Sequence, residues 1–177
     1  MLFFLMVLFF SFGTITLTAF AGPDELPEYK VKAVFIYNFA KFVEWPASKL
    51  SNHDKILSIC VLGDDPFGAY LNVINGKTIK GRTVVSKTTM KIENAEDCDC
   101  LFISDSERNS VAKILKDLEN HDVLTISDMD GFLEAGGIIQ FVLDHRQVRF
   151  LINMGAAKQA GLKFSSKLLE LAKEVKK

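Results

Sequence analysis

Three short apolar runs, Lys55–Leu62, Cys100–Ile103 and Val123–Ile126, constrain the fold of this chain more than any other feature. Each is strand-length and bounded by polar turn residues. The run ending at Leu62 passes into Gly63-Asp64-Asp65-Pro66-Phe67-Gly68, and that ending at Ile103 into Ser104-Asp105-Ser106-Glu107. A helical pattern separates one run from the next. Runs without polar alternation suit strands buried on both faces, and strand–helix–strand spacing brings such strands together as a parallel sheet covered by helices.

The connecting segments fit that reading. Before the first strand, Val31, Val34, Phe35, Phe39 and Phe42 recur at three- and four-residue steps between Glu25 and Trp45, predicting an amphipathic helix stopped by Pro46. Pro66 opens a second helical piece with Phe67, Tyr70, Leu71 and Ile74 on its apolar side. Gly76 and Gly81 bracket a turn before the strand-forming Thr83-Val84-Val85. Ser104 and Glu107 have capping-box spacing ahead of a helix with Val111, Leu115 and Leu118 inward, ending near Asn120. Later, Ile138–Leu143 and Val148–Ile152 predict an antiparallel hairpin across a four-residue loop, Asp144-His145-Arg146-Gln147. Ala156–Ala160 reads as a short helix closed by Gly161, and a terminal helix follows from Ser165-Ser166 with Leu168, Ala172 and Val175 inward. The fold class is therefore α/β: one domain, a mainly parallel sheet flanked by helices, a C-terminal antiparallel hairpin and a terminal helix.

Residues 1–21 contain no charged side chain, carry a continuous apolar run from Leu2 to Phe10, and end in Ala19-Phe20-Ala21. That small-x-small ending predicts a cleaved secretory signal, leaving residues 22–177 as the mature domain in the periplasm. The 21 basic and 22 acidic residues all follow it and nearly cancel. No block of five like charges occurs, which argues against nucleic acid and against a polybasic membrane segment.

Export permits a disulfide, and three cysteines leave one thiol over. Cys60 and Cys100 both lie in strand-like runs, so the preferred pair is Cys60–Cys100 across neighbouring strands, with Cys98 the alternative partner. A loop of that length stabilises by about 4 kcal/mol on the chain-entropy model. His53, His121 and His145 lack metal-ligand spacing, so no metal or other cofactor is expected.

Asp64, Asp65, Asp105, Asp128 and Asp130 follow the strands, where α/β folds bind ligands. Helix-start preference for Asp105 and turn preference for Asp128 and Asp130 account for them better than a functional acidic site does. Nucleophile elbows, zinc-protease helices, P-loops and dinucleotide fingerprints are absent, which points away from an enzyme. The better functional candidate is Gly131-Phe132-Leu133-Glu134-Ala135-Gly136-Gly137, an apolar, helical piece between glycines with Phe132 and Leu133 available for presentation. Arg149 and Asn153, in or beside the second hairpin strand, are candidate polar contacts. Around Asn38, the aromatic segment Tyr37–Pro46 reads as packing, with Asn38 a core amide and Phe39, Phe42 and Trp45 its signature residues.

Tyr37-Asn38-Phe39-x-Lys41-Phe42-x-x-Trp45-Pro46, Cys60-Val61-Leu62-Gly63-Asp64-Asp65-Pro66-Phe67-Gly68, Gly76-Lys77-x-x-x-Gly81-Arg82 and Cys100-Leu101-Phe102-Ile103-Ser104 occur in that order. Leu124-Thr125-Ile126-Ser127-Asp128, Gly131-Phe132-x-x-x-Gly136-Gly137, Val148-Arg149-Phe150-x-Ile152-Asn153 and Ala157-x-x-Ala160-Gly161-Leu162 complete the set. Together they resemble the YfiR family of exported bacterial proteins. The resemblance implies a periplasmic, often dimeric, α/β repressor in cyclic-di-GMP signalling. It implies binding to the periplasmic sensor domain of a membrane diguanylate cyclase, relieved when an OmpA-like outer-membrane lipoprotein sequesters the repressor. It also implies a bridge matching Cys60 with Cys100, on which repression depends, whereas a second bridge of some members has no counterpart after Cys100. Leu151 stands where relatives carry an acid. Within that frame, partner contact is expected at an apolar surface including Phe132 and Leu133, with Arg149 beside it. The competing expectation is a periplasmic small-molecule binding module that uses the acidic strand ends and Arg82 as a cleft.

Overall fold

The computed structural model describes residues 27–46, 55–89, 91 and 95–177; the predicted signal segment lies outside them. Helix α1 (Glu28–Phe42) runs into strand β1 (Val43–Glu44), followed by β2 (Ile56–Leu62) and a 3-10 segment, Gly68–Ile74. Strands β3 (Thr78–Ile79), β4 (Arg82–Thr89) and β5 (Cys100–Ile103) precede helix α2 (Val111–Asp117) and β6 (Leu124–Ser127). Strands β7 (Ile139–Asp144) and β8 (Gln147–Asn153), helix α3 (Met154–Gln159), β9 (Lys163–Phe164), helix α4 (Ser166–Leu171) and β10 (Glu174–Lys176) complete the chain.

The three apolar runs become neighbours. The eight-stranded sheet has the order β10-β8-β7-β6-β5-β2-β4-β3, and β1 pairs separately with β9. Pairing is parallel from β7 through β6, β5 and β2 to β4, and antiparallel in the β7–β8 hairpin and at the β3 edge. Because side chains alternate across a strand, this sheet separates two apolar layers. Ile59, Val61, Cys100, Phe102, Leu124 and Ile126 face α1, while Cys60, Leu62, Leu101 and Ile103 face α2.

Four boundaries differ from the sequence expectation. α1 buries Lys32, Ala33, Ile36, Phe39 and Ala40, whereas Val34 is 49% exposed. The helix is thus rotated from the stripe of large residues, because small Ala33 and Ala40 allow it close to the sheet. The hairpin loop is the two-residue turn His145–Arg146, both with positive φ (47° and 63°), which matches the twist of the paired strands. Ser104 makes no side-chain cap; a 3-10 turn at Asp105–Glu107 intervenes before α2. The terminal helix stops at Leu171, and residues 174–176 instead add a parallel edge strand beside β8. That strand is held by Lys173 on Asp144 and Lys176 on Glu134.

Candidate functional site

The strand ends at the carboxyl side of the sheet are the first place to look for a site. Ser127 Oγ donates to the Ile103 carbonyl at 2.7 Å and accepts from the Met129 amide, tying β6 to β5. Asp105 is exposed and pairs with Arg108 on the same turn. Asp65 accepts from the Phe67 amide at 2.8 Å, a local turn bond. Asp128 is different, because it faces inward. Its carboxylate accepts from Lys32 Nζ at 2.6 Å and from the Tyr29 hydroxyl at 2.8 Å. Lys32, 3% exposed, also pairs with Glu28 and sits 4.3 Å from the Tyr29 ring. Burial first, and then the bond to Asp128, push the Tyr29 phenol above its ordinary value of 10.0. Asp65, Asp105 and Asp128 are therefore engaged in turn bonds and one internal ion-pair cluster, while Asp64 and Asp130 are exposed. Among the described residues no group of three His, Cys, Asp or Glu is placed to hold a metal.

Arg82 does not join them. It begins β4, at the opposite end of the parallel strands, and is buried at 6% exposure. Its guanidinium donates to both Asp99 oxygens, at 2.8 and 3.0 Å, and to the Ile56 carbonyl. Asp99 in turn accepts from the Ser58 amide and donates its own amide to the Ser58 carbonyl. This clamp fixes the entry of β5 against β2. The expected cleft combining Arg82 with the acidic strand ends is corrected, since a sheet length separates them.

The disulfide is Cys60–Cys98, not Cys60–Cys100. Register explains the correction: Cys100 stands opposite Ile59 and faces the α1 layer, whereas Cys60 stands opposite Leu101 and faces the α2 layer. Neighbouring parallel strands place those two side chains on opposite faces. Cys98 precedes β5, outside its alternation, and is able to turn toward Cys60.

The glycine-flanked segment is also corrected. Residues 130–136 form consecutive turns rather than a helix, and Phe132 and Leu133 are 1% and 3% exposed. They close the α2-side layer instead of presenting an apolar surface. The Leu133 amide donates to Gln140 Oε1 and its carbonyl accepts from Asn153 Nδ2. The Phe132 ring lies against Gly137 so closely that a Cβ there would overlap three ring carbons. The glycine is required by close approach, not by loop freedom.

Arg149 is exposed on β8. It shares the α2-side face with Leu151, half-buried, and Asn153, which lies under the Leu133 turn. The cover over this face therefore thins toward the hairpin. Of the aromatic signature, Phe39 is fully buried, with ring centroids 4.8 Å from Phe150 and 5.6 Å from Phe141, and Trp45 is 8% exposed. Phe42 is half-buried beneath Lys167, and Asn38 is half-buried rather than in the core. One feature escaped sequence reasoning, a cleft of about 210 Å³ between α2 and the 135–138 turn, lined by Leu115, Leu118, Val123 and Ile138. Its walls come from segments that are distant in sequence.

Among solved structures, the chain is similar to a conserved domain protein from Vibrio cholerae O1 biovar El Tor, with a TM-score of 0.57 and 15% identity. That match covers 86% of this chain and 61% of the other, so the present chain spans about three fifths of that protein's length. At this identity the likeness concerns the fold alone. A Streptococcus pneumoniae ABC domain in complex with L-Trp matches with a TM-score of 0.48 and 12% identity, covering 67% of this chain and 55% of that one. No curated protein matches the chain. The family pattern described as YfiR/HmsC-like matches residues 29–173, from the first turn of α1 to the residue before β10. With the aromatic α1 signature, the Asp64–Gly68 turn and the β7–β8 hairpin all inside that span, the chain belongs to the YfiR/HmsC-like family.

Proposed function

We propose that this chain represses an inner-membrane diguanylate cyclase by binding its periplasmic sensor domain. Family membership over residues 29–173 is the observation that supports the reading. A repressor silences an enzyme only if it binds the inactive state more tightly. That demands a rigid contact surface, and the thinning cover of β8 around exposed Arg149 and half-buried Leu151 offers one. Arg149 is suited to a carboxylate on the partner, because its planar fork matches that geometry. Phe132 and Leu133 support the strand from beneath rather than making the contact. Relief by an OmpA-like outer-membrane lipoprotein, and a homodimer as the active form, belong to the same reading.

The test is Arg149→Glu, expressed with the cognate cyclase. Cyclic-di-GMP is expected to rise to the level of a strain lacking the repressor, while the purified variant melts as the wild type does. A folded variant that still copurifies with the cyclase and leaves cyclic-di-GMP unchanged would remove this surface. A second reading, a small-molecule sensor, is favoured by the cleft of about 210 Å³ with its apolar floor and the rim residues Lys116, Glu119 and Gln159. Its size suits a small metabolite, being below the usual range for larger ligands. Thermal-shift screening against small periplasmic metabolites distinguishes the two, since a protein-only repressor shows no shift.

A further inference from the structure

The lysines of this chain are scattered in sequence, yet the fold gathers several at the C-terminal end of α1. Lys41 and Lys77 lie 5.6 and 5.8 Å from the centroid of the Tyr37 ring, and Lys167 lies 5.5 Å from that of Phe42. Lys80 donates to the Val43 carbonyl at 2.9 Å, and Lys163 stands opposite Glu44 across the β1–β9 pair. All five are exposed, and among the described residues none forms an ion pair with a carboxylate. Compensation of the helix dipole accounts for Lys41 alone; the others arrive from three further segments. Tyr37 and Phe42, both half-buried, place aromatic surface among the ammonium groups, Tyr37 with a polar hydroxyl and Phe42 wholly apolar. Exposed Val34 adds an apolar residue on α1.

We propose that this lysine–aromatic surface is a docking face for an anionic lipid bilayer. Lysines are compact, well-hydrated point charges suited to a diffuse negative surface, whereas a defined carboxylate or phosphate on a protein favours the arginine fork, and the patch contains no arginine. A half-buried tyrosine beside lysines suits the headgroup level of a bilayer. The absence of a linear basic block is no objection, because the charge is assembled by the fold. Such a face would hold the regulator against the membrane in which its proposed target sits. The inference rests on the regulatory reading only for that location, and vesicle binding is read independently of cyclase binding.

The experiment is co-sedimentation of the residue 22–177 chain with vesicles of phosphatidylcholine alone or with about 30% phosphatidylglycerol, since acidic lipids create the attracting surface potential. Binding is expected only to the anionic vesicles and should collapse between about 0.05 and 0.5 M salt, as the screening length shrinks. At about fivefold per lysine, the triple variant K41Q/K77Q/K167Q should lose on the order of 100-fold in partition. A control, K87Q/K113Q/K116Q, removes equal charge elsewhere and should lose far less; melting curves establish that both are folded. Equal binding to neutral vesicles, or equal loss in the two variants, overturns the proposal. So does a wild type that binds no vesicles while K41Q/K77Q/K167Q loses the cyclase, which would make the face a protein contact.

Discussion

Lys32 is the residue whose removal most sharply tests how α1 is seated. It is 3% exposed, its ammonium is 2.6 Å from Asp128, and Asp128 is only 15% exposed. Lys32→Met keeps the stem and removes the charge, leaving a largely buried carboxylate held, among the described residues, by the Tyr29 hydroxyl alone. Breaking a buried pair from one side costs about 3–5 kcal/mol. The lower figure applies here, because Asp128 retains both Tyr29 and some water. A loss of about 3 kcal/mol corresponds to a fall of about 10 °C in the melting temperature for a domain of this size. The double variant Lys32→Met with Asp128→Leu should recover part of that loss, since two matched apolar side chains leave no orphan charge. Chemical denaturation of all four forms gives the coupling energy, expected above about 1 kcal/mol. The Tyr29 phenol adds a pH signature. Its folded value is raised, so the folded state holds its proton longer than the unfolded chain does. The contribution is therefore complete below pH 10 and is lost as pH climbs from there toward the folded value. Tyr29→Phe should abolish that alkaline loss. A Lys32→Met protein as stable as the wild type, or single-variant effects that simply add, would refute this account.

Two further outcomes are expected. Cys98→Ala should remove the bridge and about 4 kcal/mol of stability, for the 38-residue separation it spans, whereas Cys100→Ala should leave Cys60–Cys98 as the sole linked peptide in non-reduced mass spectrometry. Gly137→Ala should destabilise by about 1–3 kcal/mol, the usual effect of overpacking, and Phe132→Ala together with Gly137→Ala should not add to the sum of the two, because the ring is what the new methyl meets.

The parallel core was legible because its strands had no polar alternation, and that pattern has one common solution. Ile59, Phe102 and Ile126 needed no structural knowledge to be placed inside. What the sequence left open was facing and register. Cys60–Cys100 looked sound because both lie in strands, but a parallel register offset by one residue turns them to opposite faces. Phe132 looked presentable because glycines surrounded it, yet Gly137 makes room for its buried ring, and Gly131 and Gly136 serve the turns through positive φ. Lys32 was invisible for a related reason: periodicity reads large apolar side chains, and here two alanines and a lysine lie on the buried face of α1. Arg82 was recognised as notable but assigned to the wrong end of the sheet, since a residue's position along a strand says nothing of its partner before the strands are ordered.

The charged groups that looked most like chemistry are thus absorbed by the fold. Lys32 with Asp128 holds α1 at the carboxyl ends of the strands, and Arg82 with Asp99 holds β4 and β2 against β5 at the other. Buried pairs of this kind set registry more readily than they add stability: Arg82 with Asp99 fixes the pairing of parallel strands, and Lys32 with Asp128 the seat of the helix. The bridge has a comparable position. Cys60 and Cys98 share the α2-side layer with Phe132 and Leu133, and Leu151 packs against that same layer. Arg149 lies two residues from Leu151 on one face of β8. Loosening the bridge therefore acts on the support beneath the proposed contact surface without any change at the surface itself. On the proposed reading, such a regulator needs no sensor at its interface, because the layer that stabilises the domain also sets the pose of the strand proposed to meet the partner.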